Sequence, residues 1–334
     1  MRKLTLLAFA VGLVHFANAG TVWIDTDVSI GSPIREVDDA YALVLAFHSA
    51  EIRIAGISTT YGNAPLGHTT RAAQELVRDF GAVANLRPDQ VFAGARSADD
   101  LGRRSEASEA LAQTLKRDSV TYVALGPLTN LATFLQLHPQ MARRIERVIF
   151  VGGQAQGTTP ALGPKRSFHI HDANVFKDPR AAALVLRTKI PLILTPIATS
   201  SNLMLDESDL RELERQGGAG RYLAQRSKVW LWFWTHFAGT NGGPIFDALA
   251  TVTAARPELI AMEKRSAKMD EGGNLVVSTR PRDATRSVFF CGRFTTKTKR
   301  FVMERLVKRQ RATIERFARA ACSTNASFSS NNVR

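Results

Sequence analysis

The sequence predicts an α/β fold built on a single open, mostly parallel sheet flanked by helices, with its functional site at the C-terminal strand ends. Three features predict it. Short continuous apolar runs alternate with longer segments whose apolar residues recur at helical spacing. Several of those runs lead straight into loops bearing Asp, Asn or Gly, and in a parallel sheet all such loops share one face. The chain, at 334 residues, is long enough to bury a core of that size.

Taken in order, the chain begins with a segment that does not belong to the fold. Arg2 and Lys3 precede the apolar run Leu4 to Val14, and Ala17-Asn18-Ala19 supplies a small-x-small cleavage pattern. Residues 1–19 therefore read as a secretory signal peptide, too short to span a membrane, with the mature chain starting near Gly20. That places the protein in the periplasm or outside the cell. In such an oxidising setting Cys291 and Cys322 either pair or remain as two thiols. No later apolar run reaches transmembrane length.

Thr21 to Ile24 reads as the first strand, leaving through Asp25-Thr26-Asp27. A loop, Val28 to Val37, carries Gly31 and Pro33. Asp38 and Asp39 then open a helix whose apolar positions are Ala40, Leu43, Val44 and Phe47. Further strands are expected at Ile52 to Ile57, within Ala82 to Ala93 (Val91 and Phe92 its apolar end), at Val120 to Leu125, Val148 to Val151 and Ile190 to Leu194. Helices are expected around Thr70 to Phe80, Ala107 to Arg117, Leu131 to Leu135 and Arg180 to Leu186. Pro127 suits a helix start, where its missing N–H costs nothing. Gly157 to Arg166 is rich in turn residues and reads as a flap. Leu210 to Arg226 is polar and helical, and Val229 to Phe237 is apolar and aromatic. Asp247 begins a helix that runs to Ala255. Two more strands, Leu275 to Thr279 and Arg286 to Phe290, precede a basic helix from Lys299 to about Arg319. One domain over 20–322 is expected, with a frayed Ser/Asn-rich tail at 323–334.

The formal charge of +14 is heaviest toward the C-terminus. It favours anionic surfaces in a general way, but no zinc-finger or aromatic RNA-recognition motif accompanies it, so no specific nucleic-acid partner is expected. Gly-x-Gly-x-x-Gly after the first strand, a phosphate-binding Gly-x-x-x-x-Gly-Lys-Ser/Thr and a Gly-x-Ser-x-Gly elbow are all absent from the sequence.

The acids carry the chemistry. Asp25, Asp27, Asp38 and Asp39 crowd one strand exit, and their repulsion in a partly dry cleft calls for a cation. Hard oxygen ligands suit calcium or magnesium better than zinc. Asn63, the Leu125 carbonyl, Asn174 and Asp247 are expected on the same face. A metal that holds a water, with neighbouring carboxylates to take its proton and Asn side chains to meet a vicinal diol, implies hydrolysis at a sugar carbon.

These motifs together resemble the inosine-uridine preferring nucleoside hydrolase family. The matching pieces are Asp25-Thr26-Asp27 with Asp38-Asp39-Ala40, then Thr59-Thr60-Tyr61-Gly62-Asn63, Leu125-Gly126-Pro127-Leu128-Thr129-Asn130, Asp172 through Pro179, and Phe246-Asp247-Ala248-Leu249-Ala250. The resemblance implies that fold and calcium-dependent hydrolysis of the N-glycosidic bond of ribonucleosides. It implies Asp27, Asp39, the Leu125 carbonyl and Asp247 as calcium ligands, and Asp27 as general base. Asp38 would meet ribose hydroxyls, while Asn63, Asp172 and Asn174 would orient water and ribose. Dimers and tetramers both occur in the family, so a homo-oligomer is compatible with it.

Three departures bear on the site. The ten residues Val28 to Val37 separate the first two acidic motifs, where the family is shorter. Asp172 stands for the family's Glu, one methylene shorter. Phe246 stands where some members have a His that protonates the leaving base. Either His169, His171 or His236 substitutes, or aromatic stacking activates the base, with Trp230, Trp232 and Trp234 as candidates. Among these, Trp232 and His236 are taken as the substrate contacts. Two other readings remain: an exported nucleoside- or sugar-binding protein without turnover, and a HAD-type phosphohydrolase, whose nucleophile loop Asp25-Thr26-Asp27-Val28-Ser29 resembles.

Overall fold

The computed structural model describes residues 20–31, 36–163, 168–279 and 286–307. The expected signal peptide, the tail at 323–334 and Cys322 lie outside the described residues, as do residues 308–319 of the expected basic helix.

The strands are β1 (Thr21–Thr26), β2 (Arg53–Thr59), β3 (Val91–Ala93), β4 (Val120–Ala124), β5 (Ile145–Phe150), β6 (Gln154–Ala155), β7 (Ala161–Leu162), β8 (Phe168–His169), β9 (Leu192–Leu194), β10 (Met204–Leu205), β11 (Gly243–Pro244), β12 (Ile260–Met269), β13 (Leu275–Ser278) and β14 (Arg286–Phe294). The helices are α1 (Asp38–Phe47), α2 (Leu66–Phe80), α3 (Glu106–Arg117), α4 (Thr129–Leu137), α5 (Ala173–Lys177), α6 (Pro179–Arg187), α7 (Ile197–Ser200), α8 (Glu207–Gln216), α9 (Gly218–Arg226), α10 (Lys228–Trp232), α11 (Ala248–Ala255) and α12 (Thr296–Leu306).

Among the described residues, ten strands form one sheet in the order β3-β2-β1-β4-β5-β9-β14-β12-β13-β6. It is parallel from β3 through β14 and antiparallel on either side of β12. The expected mostly parallel sheet is therefore present, with a mixed edge. Strand β12 was not expected. Its sequence, IAMEKRSAKM, is too polar to read as a buried strand, and it lies mostly half-exposed near the edge.

Period-two alternation divides the core between the two faces. Val22 and Ile24 join α1, α2, α9 and α11 on one side. Trp23 joins α3, α4 and α6 on the other. Helix α1 is apolar nearly all round and every one of its residues is buried, so it is an interior helix rather than an amphipathic one. Strand order fixes where a ligand can go. From β1 the chain moves outward to β2 and β3, then returns to place β4 on the other side of β1. The loops after β1 and β4 thus diverge, leaving a crevice at the switch point.

Candidate active site

Asp25 and Thr26 illustrate how alternation sorts the polar residues of β1. Asp25 points to one face, accepting hydrogen bonds from Ser58 Oγ at 2.6 Å and Asn130 Nδ2 at 2.8 Å. It is fully buried, and desolvation pushes its pKa up to about 6. Asp25 therefore ties β1 to β2 and α4, apart from the other acids. It is not among the acids whose carboxylate oxygens gather within 4.8 Å of one another. Thr26 points to the opposite face, where its hydroxyl donates to Asp39 Oδ1 at 2.5 Å.

Past the end of β1, Asp27 sits in a cage of backbone. Its N–H donates to Asp39 Oδ1 at 3.2 Å, and its Oδ2 accepts from the Asn63 N–H at 2.8 Å. Asn63 Nδ2 also donates to Asp39 Oδ2 at 3.0 Å, so one residue holds both carboxylates in register. Two glycines allow this closeness. A Cβ on Gly62, whose φ is +156°, would lie 1.7 Å from Asp27 Oδ2, and one on Gly126 would lie 3.1 Å from Oδ1.

Asp38, Asp39 and Asp247 each bring a carboxylate oxygen within 4.8 Å of the others, all buried. Calcium–oxygen distances of about 2.3–2.6 Å place opposed ligands roughly 5 Å apart, so the triad suits a hard dication. Among the described residues Asp38 Oδ1 is buried with no hydrogen-bond partner, which leaves a lone pair for a ligand. Helix α1 supports the cluster, because its N-terminus favours the negative charge of Asp38 and Asp39. Burial, reinforced by mutual repulsion, still drives the pKa values of Asp38 and Asp247 well above the ordinary carboxylate range. Asp27 is raised for the same reasons and opposed by Lys177, whose Nζ lies 3.7 Å from its Oδ2. The geometric triad thus holds Asp38, expected at ribose, and has Asp27 beside it. Asp27 is bridged to Asp39 through Asn63.

Asp38 and Asp247 face a cavity of about 220 Å³. Of the residues named from the sequence, Asn63, Asp38, Leu125, Asp172, Asn174 and Asp247 line it. The Leu125 carbonyl accepts from Asn174 Nδ2 at 2.6 Å. Asp172 is committed locally: as the N-cap of α5 it accepts from Val175 N at 3.1 Å, and its other oxygen accepts from Gly153 N at 2.6 Å. His171, Trp234 and Phe246 also face the cavity.

Trp232 and His236 do not reach it. Val229 to Phe237 is helical, α10 continuing into a π-helical turn, so residues four apart share a face. Trp230 and Trp234 are buried inward, while Trp232 is 58 % exposed and stacks on exposed His236 with ring centres 5.4 Å apart. His169 on β8 is likewise exposed. The inward pair meets a residue that sequence reasoning passed over. Glu36, in the loop before α1, lines the cavity and accepts from Trp230 Nε1 at 2.9 Å. Burial pushes its pKa up to about 7, against the indole N–H groups of Trp230 and Trp234. The loop Val28 to Val37 does not simply cover the cluster. Val28, Ile30 and Val37 are buried in the core, Ser29 Oγ caps the Glu36 carbonyl at 2.9 Å, and residues 32–35 lie outside the described residues.

Comparison with known proteins follows the same outline. The sequence model of the inosine-uridine preferring nucleoside hydrolases matches residues 22–299. An uncharacterised protein of Schizosaccharomyces pombe is 29% identical over 266 residues, which cover 71% of this chain and 76% of that one. Uridine nucleosidase 1 of Arabidopsis thaliana is 26% identical over 284 residues, covering 77% and 80%. Among solved structures, a plant nucleoside hydrolase superposes with a TM-score of 0.73 at 22% identity, covering 87% of this chain and 99% of that one.

Proposed function

This chain belongs to the inosine-uridine preferring nucleoside hydrolase family, and we propose that it is a calcium-dependent enzyme that cleaves ribonucleosides to free base and ribose. The observation that carries the reading is the buried triad Asp38, Asp39 and Asp247, two of whose members, Asp38 and Asp247, face a sugar-sized cavity. Asp38, Asp39 and Asp247 would hold calcium, with Asp27 and the Leu125 carbonyl beside them. When bound, calcium supplies charge compensation and Lewis acidity toward a water and the sugar's vicinal hydroxyls.

The protein's own groups then divide the work. Asp27, held rigidly by Asn63 N–H, takes the proton of the attacking water. Asn63 orients that water, and Asp38 and Asn174 meet ribose hydroxyls. The anionic floor favours the positive charge that develops on the sugar ring as the glycosidic bond breaks. Trp234 and Phe246, with ring centres 5.9 Å apart, form an apolar wall suited to a nucleobase. Asp172 serves chiefly to set α5, and with it Asn174. The apparent signal peptide supports action outside the cytoplasm.

A nucleoside panel with a reducing-sugar readout tests the reading, with uridine first because a relative is named for it. Ribose release that chelation abolishes and calcium restores is the expected result. Tight nucleoside binding with no ribose from any nucleoside would sink it in favour of a binding protein. Asp27→Asn is expected to lower turnover by about 10³-fold or more with unchanged circular dichroism; near-normal turnover would remove Asp27 as the base.

A further inference from the structure

We propose that Lys177 is a built-in counter-ion of the acid cluster, which keeps the site assembled without metal and weakens its hold on calcium. The inference rests on calcium binding at this cluster beside Asp27.

Lys177 is placed there by the fold. It closes α5, a single turn fixed at its start by the Asp172 cap, and its carbonyl accepts from Tyr61 Oη at 3.1 Å. The side chain is only 23% exposed, and its Nζ lies 3.7 Å from Asp27 Oδ2. Its charge also reaches Glu36 and Asp172, two carboxyls that line the cavity.

A buried cluster of acids is unstable without compensating charge. The Lys177 ammonium beside Asp27 supplies part of it. The same ammonium must then repel a dication that approaches Asp27, across a short and poorly hydrated distance that salt does not screen. Asp27 also has to trade part of its pairing with Lys177 for the metal. Two cavity acids lie beyond the triad and Asp27, namely Glu36 and Asp172, and Lys177 offsets part of that excess.

Calorimetric titration of calcium into the chelated full-length protein tests this, with thermal melts alongside. Lys177→Met and Lys177→Gln are expected to bind calcium at least tenfold more tightly than wild type. Their calcium-free forms should melt lower, and their calcium-induced rise in Tm should be larger. Lys177→Arg should keep the wild-type affinity. Equal or weaker calcium binding by both neutral variants overturns the proposal, as does equal tightening in Lys177→Arg, which would mark a steric effect. A wild-type protein that binds no calcium would instead overturn the underlying assignment, and that result is read on wild type alone.

Discussion

Glu36 shows how burial makes a single side chain pH-sensitive. Its pKa rises from an ordinary 4.5 to about 7, chiefly because the cavity wall desolvates it. A carboxyl whose folded pKa is raised binds its proton more tightly when folded. Its contribution to stability is therefore complete below about pH 4.5 and is lost as pH rises through 7. In chelated protein, melting temperature should fall between pH 5 and pH 8. Glu36→Gln should flatten that fall by on the order of 1–2 kcal/mol, a figure discounted because water reaches the residue from the cavity. The Gln carbonyl can still accept from Trp230 Nε1, so the variant should fold. An unchanged slope in pH-dependent melts would show that Glu36 ionises in the folded protein as it does in the unfolded chain.

At the scale of elements, the site is made where chain ends approach one another too closely for side chains. The turn after β2 wraps Gly62 and Asn63 around the Asp27 carboxylate, and the turn after β4 brings Gly126 to its other oxygen. Gly62→Ala would drive a methyl group into Asp27, so the turn must open. The expected outcome is a loss of turnover of about 10²-fold or more and a few kcal/mol of stability, read by steady-state kinetics and thermal melts. Activity within twofold of wild type would mean that the turn relaxes without disturbing the acids. Periodicity also decides at this scale. The run Val229 to Phe237 alternates aromatic residues, which suits a strand or a helix equally on paper. Helical winding puts Trp230 and Trp234 inside and turns Trp232 and His236 out to solvent. Similarly, the expected helix Leu210 to Arg226 is broken in two at Gly217, whose φ of +78° no helix accommodates.

At the scale of the whole molecule, the two-faced core dictates what is reachable. Cys291 on β14 is fully buried, and its thiol pKa is pushed up from 9.0 to about 12 by desolvation. Thiolate is the reactive form, so raising the pKa suppresses it at every pH below 12. Native protein treated with iodoacetamide at pH 8.5 should show no label at Cys291 by peptide mapping, and full label after denaturation; rapid native labelling would contradict this burial. Much of the architecture was legible beforehand, because local rules produce it. Apolar runs of strand length, helical spacing between them and acids at the strand exits follow from period and solvation, and they led to the parallel sheet and its acid-bearing edge. Residue order and polarity alone dictate which residues lie inside, and that several carboxylates gather at one sheet edge. Only the tertiary structure decided which of those carboxylates meet, since strand alternation sends Asp25 to the far face while Asp38 joins Asp39 and Asp247. It also brought Glu36 to the cavity and Lys177 beside Asp27, from segments 141 residues apart, a meeting fixed by strand order rather than by any local pattern.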